Sequence, residues 1–181
     1  MDNPPPASRL GAIADRIDRL TALIGRSVMW CALFMVLVQV AVVLMRYVLG
    51  AGSIWLSESI IYAHATLFML AAAWTLQIGG HVRVDIFYAD ASPRTKAMVD
   101  LRGTLFLLLP FVIALGLLSI PYIARSWAIL ERSREASGLP LVFVLKTLIP
   151  AFAALLALQG ASRAIRAWRV LAGESTIRPA H

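Results

Sequence analysis

An uncharged run of nineteen residues near the amino terminus constrains the fold more than any other feature. Residues 27–45, between Arg26 and Arg46, carry no formal charge. About 20 consecutive, mostly apolar residues suffice to cross the hydrocarbon core of a bilayer as an α-helix. The apolar core of a signal peptide is shorter, about 7–15 residues. We therefore expect this run to be a membrane span that is retained in the mature protein.

Three similar apolar stretches follow it. Hydrophobic residues make up 60% of the 181-residue chain, above the ~45–50% that is usual for soluble domains. The sequence therefore predicts an all-α membrane protein whose four transmembrane helices form one domain, residues 27–172. The predicted spans are residues 27–45, 59–80, 103–124 and 139–162.

The residues before the first span divide into two parts. Residues 1–7 contain three consecutive prolines, and we expect a disordered tail there. In residues 8–26, apolar side chains recur at helical spacing and arginines occupy other positions, which predicts an amphipathic helix lying on the membrane surface. The same pattern fits the first turns of one long helix equally well. The apolar residues are Leu10, Ile13, Ile17, Leu20 and Ile24.

Local signals predict where the later helices begin, bend and end. Ser92 followed by Pro93 is typical of a helix start, with Ser as the N-cap and Pro at the first helical position. Pro110 and Pro121 should interrupt the backbone hydrogen bonds of the third span. Gly173 is a plausible C-terminal cap, and residues 173–181 would form a cytoplasmic tail.

The distribution of Lys and Arg predicts how the four spans are oriented in the membrane. Twelve of these residues lie on the side that holds both termini and the loop after the second span, and four lie on the other side. The positive-inside rule then places both termini in the cytoplasm. The net charge of +7 comes from residues between the apolar stretches, which indicates contact with anionic membrane lipids rather than nucleic acid.

Charged residues inside a span mark functional hypotheses because they are costly to bury in lipid. Lys146 lies in the fourth span, and Glu58 and His64 lie at a similar depth in the second. Matched depth and opposite charge lead to the hypothesis of a Glu58–Lys146 ion pair, to which His64 could contribute.

We find no pattern that predicts an enzyme, a metal site or a bound cofactor in this chain. His64 and His81, if on one continuous helix, would be about 25 Å apart, too far for one haem to bind both. Cys31 is the only cysteine, so neither an intrachain disulfide nor a cysteine-based metal site is possible. The first span has no carboxylate, which argues against a small proton-coupled exporter.

Polar and apolar residues alternate after the second span, where His81, Arg83 and Asp85 are separated by valines. Together with other motifs, this block resembles the small, Q-type (DctQ-like) membrane subunit of tripartite ATP-independent periplasmic (TRAP) transporters. The resemblance covers roughly residues 28–165, and Ser57 departs from the Gln or Glu more often found before the acid. The matching motifs are residues 57–58, 62–64, 80–88, 92–94, 138–140, 146–150 and 158–160.

The resemblance implies a scaffold rather than a transport site. In this family a periplasmic binding protein delivers an organic anion, commonly a carboxylate, to a membrane complex, and the large subunit holds the substrate and sodium sites and moves as an elevator. The small subunit would brace the large one and help to dock the binding protein. The alternatives are a membrane anchor of a redox complex and a standalone four-helix transporter. Candidate structural or partner-interface residues are Glu58, His64, His81, Arg83, Asp85 and Lys146, and candidate docking residues are Arg125, Glu131, Arg132, Arg134 and Glu135.

Overall fold

The computed structural model describes residues 9–81 and 91–173, and these are helical apart from short connections. The predicted tail at residues 1–7, the candidate residues Arg83 and Asp85, and residues 174–181 lie outside the described residues. A π-helical turn, Thr104–Leu108, joins the fourth helix to the fifth. The six α-helices of the described residues are α1 (Arg9–Val28), α2 (Trp30–Val48), α3 (Ile54–Gln77), α4 (Pro93–Gly103), α5 (Leu109–Ala128) and α6 (Val142–Leu171).

Four helical stretches are long and apolar enough to cross a membrane, which confirms the predicted four-helix architecture for the described part of the chain. The first stretch combines α1 and α2, and the third combines α4, the π-helical turn and α5. The stretches are Arg9–Val48, Ile54–Gln77, Pro93–Ala128 and Val142–Leu171.

Capping residues fix the helix ends. The backbone N–H of Thr95 donates to Ser92 Oγ at 3.2 Å, which confirms the predicted start of α4. Ser53 caps α3 in the same way, through the N–H of Leu56 at 3.3 Å. Gly173, which follows α6, adopts φ +78°, a left-handed conformation typical of a residue that ends a helix.

Pro110 shapes the third membrane-spanning stretch. A proline has no N–H to donate, and its ring clashes with the carbonyl group four residues earlier in an α-helix. The π-helical turn Thr104–Leu108 directly precedes this position. The predicted interruption at Pro110 therefore takes the form of a wider helical turn, after which α5 continues through Pro121.

The spanning helices form a row rather than a closed bundle. Backbone contacts join α2 to α3, α3 to α6, and α6 to α5, whereas within the described residues the backbones of α2 and α6, and of α3 and α5, do not approach each other. The core is centred on α6, where Ala153 and Leu156 pack with Ala73 of α3 and Val112 of α5. Helix α2, at one edge, has no buried residue.

Helix α1 lies against α3 and α6. Met29 keeps helical dihedral angles (φ −56°, ψ −31°), so α1 and α2 form one nearly continuous helix, the second of the two alternatives given by the sequence. The inward face of α1 consists mainly of small residues, and Gly25 lies so close to Trp74 that an added Cβ atom would be 2.5 Å from the Trp74 Cβ. The buried residues of α1 are Gly11, Ala14, Thr21, Gly25 and Val28.

We refer to the two ends of the row by their connections. The loop end is where residues 49–53 join α2 to α3 and residues 129–141 join α5 to α6. The terminal end is where α2 begins and both α3 and α6 end. Each end contains its own network of polar side chains.

Candidate functional site

Asp18 is the centre of the polar network at the terminal end. Its Oδ1 atom accepts hydrogen bonds from Gln159 Nε2 at 2.9 Å and from Ser162 Oγ at 2.7 Å. Its Oδ2 atom accepts from Arg166 Nε at 3.0 Å. The carboxylate of α1 thus contacts three side chains of α6. We use the name Asp18 network for a set of seven residues, which are Asp18, Gln159, Ser162, Arg166, Asp15, Thr21 and Gln77.

Thr21 extends the Asp18 network to α3. Its hydroxyl oxygen lies 2.8 Å from Gln159 Oε1 and 3.2 Å from Gln77 Oε1. Thr21 is 1% exposed, Gln159 4% and Ser162 0%. Because polar groups buried this deeply are stable only when hydrogen-bonded, the network fixes α1 to α3 and α6.

The loop end contains a second network around Glu131. Lys146 Nζ lies 2.5 Å from Glu131 Oε2 and 4.0 Å from the centre of the Tyr122 ring. The hydroxyl of Ser126 donates to the same carboxylate oxygen at 2.6 Å. The hydrogen bonds from Lys146 and Ser126 hold the pKa of the Glu131 carboxyl below its usual value of 4.5, because both stabilise the ionised form.

Glu58 anchors the same connection from α3. Its Oε2 atom accepts from the backbone N–H of Leu139 at 2.6 Å, and its Oε1 atom accepts from the Ser133 hydroxyl. The hypothesis of a Glu58–Lys146 ion pair is therefore wrong. Both residues bind the connection between α5 and α6, but Lys146 pairs with Glu131.

The candidate docking residues differ in their surroundings. Arg125, Arg132, Arg134 and Glu135 are exposed. Glu131 is half-buried and bound to Lys146. The structure therefore places Arg125 at the surface of the last turn of α5. It places Arg132, Arg134 and Glu135 at the surface of the connection 129–141, which Glu58 and Glu131 attach to the helices.

His64 and His81 line one groove on the face of α3. The groove has a volume of about 380 Å³ and is otherwise lined by Leu67, Phe68, Ala71, Ala72 and Thr75. The estimate of about 25 Å between the two histidines assumed that both lie on one continuous helix. Helix α3 ends at Gln77, before His81, so this assumption does not hold. Among residues 9–81 and 91–173, no group of three or more His, Cys, Asp or Glu side chains could hold a metal ion.

Neither Asp18 nor Arg166 was predicted as a functional residue from the sequence. Asp18 lies among charged residues of α1, which suggested a solvated face. A different periodicity could have identified it, because Gly11, Ala14, Asp18, Thr21 and Gly25 recur at alternating intervals of three and four residues. Such a stripe of small and polar residues is typical of close helix contacts in membranes.

The family comparison matches most of the chain. A family model described as "Tripartite ATP-independent periplasmic transporters, DctQ component" matches residues 35–170, which extend from α2 to the last turn of α6. Comparisons with curated proteins and with solved structures returned no match. The chain belongs to the DctQ family and is a small membrane subunit of a TRAP transporter.

Proposed function

We propose that the chain is the scaffold of a sodium-driven uptake system for an organic anion, commonly a carboxylate. It would brace the large elevator subunit, which would hold the substrate and the sodium ions. The observation that carries the proposal is the helix row, because α2 has no buried residue and the row leaves broad apolar faces that a larger membrane protein can cover. Family membership supports the same assignment.

The proposed topology places the terminal end in the cytoplasm and the loop end in the periplasm. The excess of Lys and Arg at the terminal end supports it. On this topology the exposed Arg125, Arg132 and Arg134 face the periplasm. We assign to them a role in docking the periplasmic binding protein, since the bonds from Glu58 and Lys146 hold this connection in place for recognition.

Affinity purification of the tagged chain from native membranes in mild detergent tests the scaffold role. The expected result is one large multi-span protein in near-equal amount, identified by mass spectrometry as a TRAP large subunit. Proteoliposomes with both subunits and the binding protein should then take up the anion in response to a sodium gradient. Recovery of the chain alone, or uptake without the large subunit, would contradict the proposal.

Charge reversal tests the docking role. Arg132→Glu combined with Arg134→Glu should lower uptake that depends on the binding protein, with no change in subunit abundance. Arg94→Glu is the matched control, because Arg94 is also exposed but lies at the terminal end. Equal uptake by the double variant and the wild type would remove the docking assignment.

A further inference from the structure

The groove beside His64 has properties that neither lipid contact nor internal packing explains. We propose that this groove binds one transmembrane helix of the large subunit, and that this helix presents a hydrogen-bonding side chain to His64. The inference rests on the proposed function, because it names the surface through which the scaffold would hold its partner.

His64 lies deep within the membrane-spanning part of α3. Helix α3 has 24 residues, so it is about 36 Å long. His64 lies ten residues after Ile54, about 15 Å along the axis. Its imidazole is therefore near the middle of the helix, at the level of the hydrocarbon core of a bilayer about 30 Å thick.

The side chain of His64 faces away from the core of the described residues. His64 and Ala73 are nine residues apart, which places them about 180° apart around a helix with 3.6 residues per turn. Ala73 is 1% exposed and packs in the core, whereas His64 is exposed. Ile61 and Phe68, on the same face, are 58% and 65% exposed. Among the described residues, none covers this face of α3 around His64.

That position is energetically costly for the imidazole of His64. The imidazole of His64 stacks on the Phe68 ring, with centroids 6.4 Å apart, but the described residues offer it no hydrogen bond. Hydrocarbon offers none either, and polar groups exposed to it are costly. An acyl chain could fill the apolar part of the groove, but it cannot satisfy a nitrogen atom. The occupant must therefore carry a polar side chain at this depth.

The shape of the groove favours a helix. Between Phe68 and the terminal end of α3 the lining residues become small, with Ala71 and Ala72 in one turn and Thr75 in the next. Small residues let two helix backbones approach closely in a membrane. The occupant that fits is a helix with a hydroxyl, amide or carboxylate side chain opposite His64 and small residues opposite the alanines.

Gln39 supplies a second polar group at the same level. It is exposed and makes no hydrogen bond within the described residues. It lies nine residues before Val48, about 14 Å from the loop end of α2. Helix α2 and the exposed face of α3 thus each carry a polar side chain at matched depth, which a bilayer of lipid alone would not stabilise.

Photo-cross-linking in the purified two-subunit complex tests contact directly. Phe68 is replaced by the photo-reactive p-benzoylphenylalanine, and Leu118 serves as the control, because it lies on α5 and is 77% exposed. The proposal expects an adduct to a helix of the large subunit from position 68 and none from position 118. Adducts only to lipid from position 68 would overturn it.

Substitutions test whether the contact holds the complex. Ala71→Trp should fill the groove and weaken the affinity of the subunits at least about tenfold, whereas Leu118→Trp should not. His64→Leu should weaken it about threefold, the typical effect of one hydrogen bond between membrane helices, and His64→Gln should weaken it less. Circular dichroism of each variant checks that the helices still form.

The outcomes separate this inference from the proposed function. If the wild-type chain purifies with no large subunit, both are wrong. If the complex forms and transports but Ala71→Trp and His64→Leu leave its affinity unchanged, the scaffold role stands and the assignment of the groove is overturned. A loss of affinity that is equal in Leu118→Trp and Ala71→Trp would also overturn it.

Discussion

At the terminal end of the row, Asp18 connects three helices through side chains that are almost fully buried, while at the loop end Glu58 and Glu131 attach an irregular connection to helix ends. The carboxylate of Asp18 is 15% exposed and that of Glu131 is 31% exposed. The terminal end depends on several hydrogen bonds that share partners, because Gln159 contacts both Asp18 and Thr21. The loop end depends on separate contacts.

This difference indicates how the two ends should respond to change. Removing one member of a buried network leaves its partners without hydrogen bonds, and their desolvation then opposes folding. Removing one partner from an exposed pair lets water replace it. We therefore expect the terminal end to be the rigid part of the scaffold and the loop end to be the part that tolerates variation.

The largest effect is expected for Asp18→Leu, which should lower the free energy of unfolding by about 3 kcal/mol. The change removes the carboxylate that accepts from the Gln159 amide, the Ser162 hydroxyl and the Arg166 guanidinium. Arg166 keeps its contact with Asp15 and Ser162 keeps the Ala14 carbonyl, but the Gln159 amide loses its acceptor. Denaturant unfolding in detergent measures it. Asp15→Leu is the control, because Asp15 contacts only Arg166 of these partners and its side chain is 59% exposed. Equal losses in the two variants would contradict the comparison.

Close helix contact at the same end gives the second prediction. Gly25→Ala should lower the free energy of unfolding by about 1–3 kcal/mol, because the new Cβ atom would overlap the Trp74 side chain. Gly103→Ala is the matched control, since no atom lies within 4 Å of its Cβ position, and it should be neutral or stabilising by up to about 1 kcal/mol. If Gly25→Ala behaves like Gly103→Ala in thermal unfolding, α1 does not pack this closely.

The sequence predicted the features that depend on neighbouring residues. Apolar runs predicted the four spans, and Ser92–Pro93 predicted the start of α4, because both signals act within a few turns. Pairings across the structure were not predictable in this way. Glu58 and Glu131 both lie near the level of Lys146, and depth along a helix does not reveal direction around it. In the structure Lys146 pairs with Glu131, because the connection after α5 folds back onto α6.

The environment of α1 shows the same limit. The sequence associated its charged residues with the membrane surface, but Asp18 is turned inward by the small residues on either side of it, Ala14 and Thr21. A carboxylate can occupy that position only because Gln159, Ser162 and Arg166 come from α6, more than a hundred residues later. No local pattern contains that information.

At the loop end, Glu58→Ala should have a smaller effect, lowering the free energy of unfolding by about 1–2 kcal/mol. The variant loses the acceptors for the Leu139 N–H and the Ser133 hydroxyl, and both of these hydrogen bonds are only partly buried. Glu58→Gln keeps one oxygen acceptor, so its free energy of unfolding should fall by about half as much as that of Glu58→Ala. Protease cleavage between residues 131 and 138 should be slowest in the wild type, faster in Glu58→Gln and fastest in Glu58→Ala. Unchanged cleavage in Glu58→Ala would show that Glu58 does not hold the connection.

The smallest effect should be the pH dependence of the Glu131–Lys146 pair. Hydrogen bonds from Lys146 and Ser126 lower the pKa of Glu131 from 4.5 in the folded protein. A lowered folded-state pKa stabilises the fold above the unfolded value, and that contribution is lost as the pH falls through the folded value. The difference in thermal midpoint between wild type and Glu131→Gln should therefore stay constant from about pH 7 to 5 and shrink below pH 4.5. Since other carboxyl groups titrate equally in both proteins, a difference that grows in acid would mean that Glu131 does not hold Lys146 as an ion pair.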